Sequence, residues 1–187
     1  MTTAFKEWAV IVDALGRGEQ ILILRKGGLA EGRAGFQVEQ PRFLFFPTLF
    51  HQQRESVSAA AQARYDEIAP HFPRAEVLRL EFCAEVVAWR RLDSLAAVAR
   101  LRGQHVWRED VLAQRFDWGH AQGIFALAVR VARLPQRLEL PLLPAYGGCK
   151  SWIELANDIA TEAARPVLSD ADFRVKLNQF ESALAAP

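Results

Sequence analysis

The chain has 187 residues, 51% of them hydrophobic and 24% charged, with a formal net charge of +1. Such a composition excludes a disordered chain, and the near-neutral balance excludes duplex binding by bulk charge, which requires many phosphates to be neutralised. Its apolar runs are short and broken by arginine or proline, far from the roughly 20 residues of a membrane-spanning helix.

Phe5, Trp8, Ala9, Val12 and Leu15 recur at helical spacing up to Gly16-Arg17-Gly18, which predicts an opening helix. Ile21 to Leu24 reads as a buried strand, followed by a glycine-rich loop to Gln40. Phe43 to Phe46 reads as a second short strand, closed by Pro47 and paired with the first. The alanine-rich run from Gln53 to Ala69 favours helix, and Glu76 to Trp89 a long strand. Asp93 caps a short helix that Gly103 stops, and another helix covers Glu109 to Phe116.

Ile124 to Val131 is the most strand-like run, with Leu138 to Leu140 returning beside it across a Pro135-Gln136-Arg137 turn. Ser151-Trp152-Ile153-Glu154 and Ser169-Asp170-Ala171-Asp172 each place a hydroxyl three residues before an acid, so two C-terminal helices are expected. Strands in short groups between uneven helices predict an α+β fold, a single domain over residues 1–187 with a mixed or mostly antiparallel sheet flanked by helices. A small closed barrel in the second half is a weaker alternative.

Two separated cysteines, Cys83 and Cys149, indicate neither a disulfide framework nor a zinc knuckle. Glu7 interrupts the N-terminus before any long apolar run, so no secretion signal is read and a cytoplasmic location is expected.

Phosphate-wrapping, dinucleotide, nucleophile-elbow and zinc-hydrolase motifs are missing. The positions two before Lys6, Lys26, Lys150 and Lys176 are Ala4, Leu24, Gly148 and Arg174, so the acid-x-lysine half of a restriction-type nuclease site is not written. His51, His71, His105 and His120 never pair at helical spacing. No catalytic residue, metal-ligand set or cofactor is therefore assigned.

Three segments carry the candidate site. Tyr146-Gly147-Gly148-Cys149-Lys150-Ser151-Trp152 would set glycines, a lysine and a capping hydroxyl at a helix N-terminus, where unpaired N–H groups attract an anion; a plain turn and cap accounts for the same spacing. Arg25-Lys26-Gly27-Gly28 puts two cations where a strand enters a loop that also holds Glu31 and Arg33, although strand-end charges are commonly just solvated. His51 and Gln52 follow a buried strand and offer ring and amide groups to a ligand, or simply shape the turn. Trp107, Trp118 and Trp152 lie near Arg108, Arg115, His120 and Lys150 in sequence, a mixture that suits base stacking with phosphate contacts and equally suits core packing. Arg130 completes the anion set, with Arg25, Lys26, Gly147, Gly148, Lys150 and Ser151.

Several segments in order resemble one family: Phe5-Lys6-Glu7-Trp8-Ala9-Val10, Leu24-Arg25-Lys26-Gly27-Gly28, Phe43-Leu44-Phe45-Phe46-Pro47-Thr48 with His51-Gln52, His105-Val106-Trp107, Arg115-Phe116-Asp117-Trp118, Val129 to Pro135, and Tyr146 to Trp152. They are similar to the bacterial domain-of-unknown-function family DUF1802, over nearly the whole chain. Some members look associated with Mrr-type restriction endonuclease domains. The resemblance therefore implies a non-catalytic accessory or recognition module of a restriction-modification or other DNA-handling system, with nucleic acid or a nuclease protein as partner. The alternatives are an enzyme or binder for a small anionic metabolite, using the Gly147–Ser151 turn and His51 or His105, and a protein-binding subunit.

Overall fold

A computed structural model describes residues 1–26, 41–119, 121–148 and 150–185. The glycine-rich loop expected through Gln40, with Gly27, Gly28, Glu31 and Arg33, lies outside these residues, as do His120 and Cys149. The described strands form one mixed, mostly antiparallel sheet flanked by helices. In chain order they are β1 (Thr3–Trp8), β2 (Leu22–Arg25), β3 (Arg42–Thr48), β4 (Val77–Leu92), β5 (Ile124–Pro141), β6 (Trp152–Glu154) and β7 (Arg165–Pro166). The α-helices are α1 (Ala9–Gly16), α2 (Ala59–Ile68), α3 (Leu95–Ala99), α4 (Glu109–Asp117) and α5 (Asp170–Ala185). The strand order is β2-β5-β4-β3-β1-β6, with β7 beside β5. Among the described strands only β1 and β3 run parallel. No described helix is long and apolar enough to cross a membrane.

The helical spacing that begins at Phe5 is interrupted. Ala4 to Trp8 pairs with β3 on one side and Thr3 to Phe5 with β6 on the other, so backbone pairing holds this stretch extended and α1 begins only at Ala9. Nor does β2 pair with β3: it lies against β5, and β3 lies between β1 and β4. The expected hairpin at Pro135 is instead one 18-residue strand. Its pairing with β4 jumps from Arg133 to Leu138, so Pro135-Gln136-Arg137 bulges out of the ladder, where a missing N–H is tolerated.

Ser151 opens a strand and not a helix. Its hydroxyl is engaged from outside, and Trp152 and Ile153 favour a pleated surface. The second capping pattern does start a helix: Asp172 N–H donates to Ser169 Oγ at 3.1 Å, and that hydroxyl donates back to Asp172 Oδ2 at 2.7 Å. One C-terminal helix results in place of two. At α3 the cap is Ser94, not Asp93.

Alternation divides the sheet residues between two cores. Phe5, Phe43 and Phe45 join the larger core under α1, α2 and α4, while Ala4, Leu44 and Phe46 join a smaller one behind. On β4 the sense of alternation flips, with Leu78 and Leu80 in the smaller core and Phe82 and Ala84 in the larger. The register shift between Leu80 and Phe82 produces this flip. Phe43 anchors the larger core, its ring centroid 5.2 Å from Phe5, 5.3 Å from Phe45 and 5.4 Å from Trp152. Phe43→Ala should cost about 3–5 kcal/mol in urea unfolding, the usual cost of emptying a fully buried aromatic position; a loss under about 1 kcal/mol would mean the cluster is not well packed.

Candidate nucleic-acid interface

The two ends of the strand order meet through Arg25. Its Nη1 donates to the Lys6 carbonyl on β1 at 3.1 Å, and its Nη2 donates to Ser151 Oγ, just before β6, at 2.6 Å. The sheet therefore curls until its first and last strands approach, and Arg25 spans the seam. The guanidinium also lies 4.8 Å from the centroid of the Phe5 ring. Glu7 backs it, with Oε2 at 3.7 Å from Nη1 in an ion pair too long to be a hydrogen bond. Glu7 is only 2% exposed; Oε1 accepts the Trp8 N–H at 2.7 Å, and Oε2 has no hydrogen-bond donor.

Above this seam lies a cleft of about 320 Å³ lined by Glu7, Trp8, Arg25, Lys26, Arg115 and Trp118. Arg115 comes from α4, its guanidinium 3.8 Å from the Trp107 centroid and 4.8 Å from that of Trp8, the two indoles being 4.5 Å apart. Trp107 is held behind the cleft by a bridge to Val57 and by the neighbouring Val106 N–H, which donates to Gln20 Oε1 at 3.0 Å. Burial pushes the Arg115 guanidinium down to about 10, Glu7 pulling up and Arg25 pushing further down, so it stays charged at neutral pH. The Lys26 amine donates to the carbonyls of Phe116 at 2.7 Å and Ala121 at 2.5 Å. Burial lowers its pKa, Asp117 opposes, and Arg91 adds to the lowering. Trp118 stands at the rim with 58% of its surface exposed.

The wall thus holds three cations against one carboxylate, with Asp117 acting on Lys26 from the side. A second hollow of about 290 Å³, between α1, the end of α2 and β4, is mainly apolar and has no such concentration of cations. Among the described residues no three His, Cys, Asp or Glu side chains are grouped to hold a metal ion.

Of the residues singled out in the sequence, Arg25, Lys26 and Trp118 meet in the cleft, Trp107 lies behind it, and Ser151 is the partner of Arg25. Lys150 is exposed one residue away, and the Gly148 carbonyl accepts from Lys6 Nζ at 3.0 Å. The predicted helix-terminus cradle is absent, because β6 follows Ser151 and Gly148 turns an acceptor, not a donor, toward Lys6. Gly147 is a turn residue whose added Cβ would press on the Pro144 carbonyl at 3.1 Å.

Other candidates lie apart from the cleft. Arg130 pairs with Asp170 and lies over Phe173, five residues along β5 from the Arg25 row, or roughly 17 Å at the usual strand rise. Tyr146 is buried in the smaller core, accepting from Ala156 N–H at 2.9 Å. Trp152 packs on Phe5 with centroids 4.6 Å apart. His51 and Gln52 are exposed on the 3-10 turn after β3. His105 is outside the cleft wall, and neither of its ring nitrogens has a hydrogen-bond partner.

Glu7 and Trp8 are not among the sequence-predicted site residues, their signals being the charged pair Lys6-Glu7 and their place in the Phe5–Val10 segment of the family resemblance. Arg115 was visible only as a neighbour of Trp118.

Arg25→Gln removes both bonds across the seam and deprives buried Glu7 of its ion-pair partner, with Arg115 the remaining cation that attracts it, which should cost about 3–5 kcal/mol in urea unfolding. Adding Glu7→Gln should restore part of that loss, and additive effects in the double-mutant cycle would count against the pairing. Burial holds the His105 pKa below its ordinary value of 6.5, with Glu109 and the Trp107 backbone opposing. The unfolded chain then binds more protons below that value, so stability should fall as pH drops from 7 to 5. His105→Gln should reduce the slope, as read by urea midpoints, and an unchanged slope would rule His105 out as a contributor.

No curated protein matches the sequence. Two crystal structures of mutant forms of ZmASCH, from Zymomonas mobilis, are loosely similar. One has a TM-score of 0.46 at 10% identity, covering 94% of this chain and 94% of that one. The other has a TM-score of 0.43 at 11% identity, covering 94% and 96%. The sequence model of the family described as Domain of unknown function (DUF1802) matches residues 4–179, and the chain belongs to that family.

Proposed function

We propose that this chain is a nucleic-acid recognition module, serving as an accessory component of a DNA-handling system. The observation that carries the reading is the convergence of Arg25, Lys26 and Arg115 with exposed Trp118 around one cleft, although these residues lie up to 93 positions apart (Arg25 and Trp118) in the chain. An exposed indole offers a stacking face to any base, and neighbouring cations attract the phosphates that flank it. Lys26 is satisfied by neutral carbonyls, which hold its position without cancelling its charge. Glu7 fixes Arg25 and offsets part of the cationic field, so the cleft is positive while the whole chain is nearly neutral.

A second reading, binding of a small anionic metabolite, is favoured by the cleft volume, which falls at the lower end of the roughly 300–1,000 Å³ typical of small-molecule sites. The histidines invoked for that reading, His51 and His105, do not line the cleft.

Binding of a fluorescein-labelled oligonucleotide, followed by anisotropy across a salt series, tests the first reading. Trp118→Ala should weaken binding by about 1–3 kcal/mol. Lys26→Gln should weaken it for every sequence and flatten the log–log salt slope by about 1. Binding that ignores salt, or that survives both substitutions unchanged, rejects this surface.

A further inference from the structure

We infer that the binding surface continues past the cleft to a second stacking position at Trp89, so that its ligand is a single strand of nucleic acid several nucleotides long. This rests on the nucleic-acid reading above and specifies its substrate. Arg25, Phe125 and Arg91 are cross-strand neighbours on β2, β5 and β4, and so stand abreast on one face of the sheet. Strand spacing puts the outer two Cα atoms about 10 Å apart.

The loop after α4 ties this row to the cleft. Lys26 Nζ donates to the Ala121 carbonyl, and Arg91 Nη2 donates to the next carbonyl, Gln122, at 2.9 Å. The two cations are close enough for Arg91 to lower the Lys26 pKa. Arg91 also pairs with Asp93, which balances part of the charge at that end.

Two residues before Arg91, on the same face, Trp89 stands 45% exposed, its ring centroid 5.9 Å from that of Phe125. Singly exposed apolar side chains are ordinary on a protein surface, and what marks Trp89 is its ring contact with Phe125 beside Arg91. A chain of contacts runs from it through Phe125, Arg91 and the carbonyls of Gln122 and Ala121 to Lys26, which shares the cleft wall with a second exposed indole, Trp118. That order of stacking face, cations and stacking face matches consecutive bases joined by phosphates. It does not match a duplex, whose base faces are already stacked on one another. A mononucleotide would fill the cleft and leave Trp89 uncovered.

The test uses the full-length protein with labelled single-stranded DNA and RNA hexanucleotides, a DNA hairpin duplex, and adenosine monophosphate as the mononucleotide probe. One or both single strands should bind, the better of the two showing which nucleic acid is preferred, with the hairpin weaker by about tenfold or more. Trp89→Ala should weaken the hexanucleotide about fivefold or more while leaving monophosphate binding unchanged, and Arg91→Gln should act in the same direction. The inference is overturned if both variants bind the hexanucleotide like the parent protein, or if the hairpin binds equally well; the cleft reading then survives alone. It is also overturned if Trp89→Ala changes the sedimentation coefficient, which would make the patch a self-association surface. Failure of the parent protein to bind any of these probes rejects the nucleic-acid reading itself.

Discussion

A single guanidinium holds the two ends of the sheet together. Arg25 donates across the seam to the Lys6 carbonyl and the Ser151 hydroxyl, and the buried carboxylate of Glu7 balances its charge. Bonds from a charged group contribute more than neutral ones, and breaking such a pair leaves a buried charge uncompensated. This contact joins the two ends of the curled sheet beside the cleft that β1, β2 and α4 share, over a core common to all three. Glu7 is therefore best understood as the fixed counterion of the seam. Its occupied oxygen sets the turn from β1 into α1 through the Trp8 N–H, and its other oxygen faces Arg25.

Behind the seam the cations are organised by aromatic rings and carbonyls more than by acids. Arg115 lies against Trp8 and Trp107, and Lys26 is held by the carbonyls of Phe116 and Ala121. Several arginines elsewhere on the surface are paired with carboxylates, as in Arg54 with Asp66 and Arg108 with Asp110. The contrast explains how a chain with a formal charge of +1 concentrates an attractive field at one place.

Much of the fold was legible because local chemistry and tertiary context agreed. The α4 helix, the long β4 strand and the Ser169 cap of α5 lie close to where their patterns put them. The failures have a common origin in pairing between distant segments. Phe5 and Trp8 share helical spacing with Val12 but are drawn into strand by β3 and β6. Ser151 has the spacing of a cap but gives its hydroxyl to Arg25, 126 residues away. Pro135 signals a turn, and the continuing ladder absorbs it as a bulge. Arg25, Lys26 and Trp118 stood out as cations and an indole at element ends. Glu7 and Trp8 did not, because their importance arises from neighbours that no local window contains.

That 126-residue separation also sets an order of events during synthesis. β2 leaves the ribosome long before Ser151 has been translated, so the Arg25 guanidinium at first has no hydroxyl to engage. Closing so long a loop costs entropy that only the finished sheet repays. The described residues of the cleft wall have all been translated by Trp118, and the Ser151 contact is added to the seam only afterwards. A chain shortened before Ser151 would keep the described residues of the cleft wall but lose one of the two bonds that Arg25 makes across the seam.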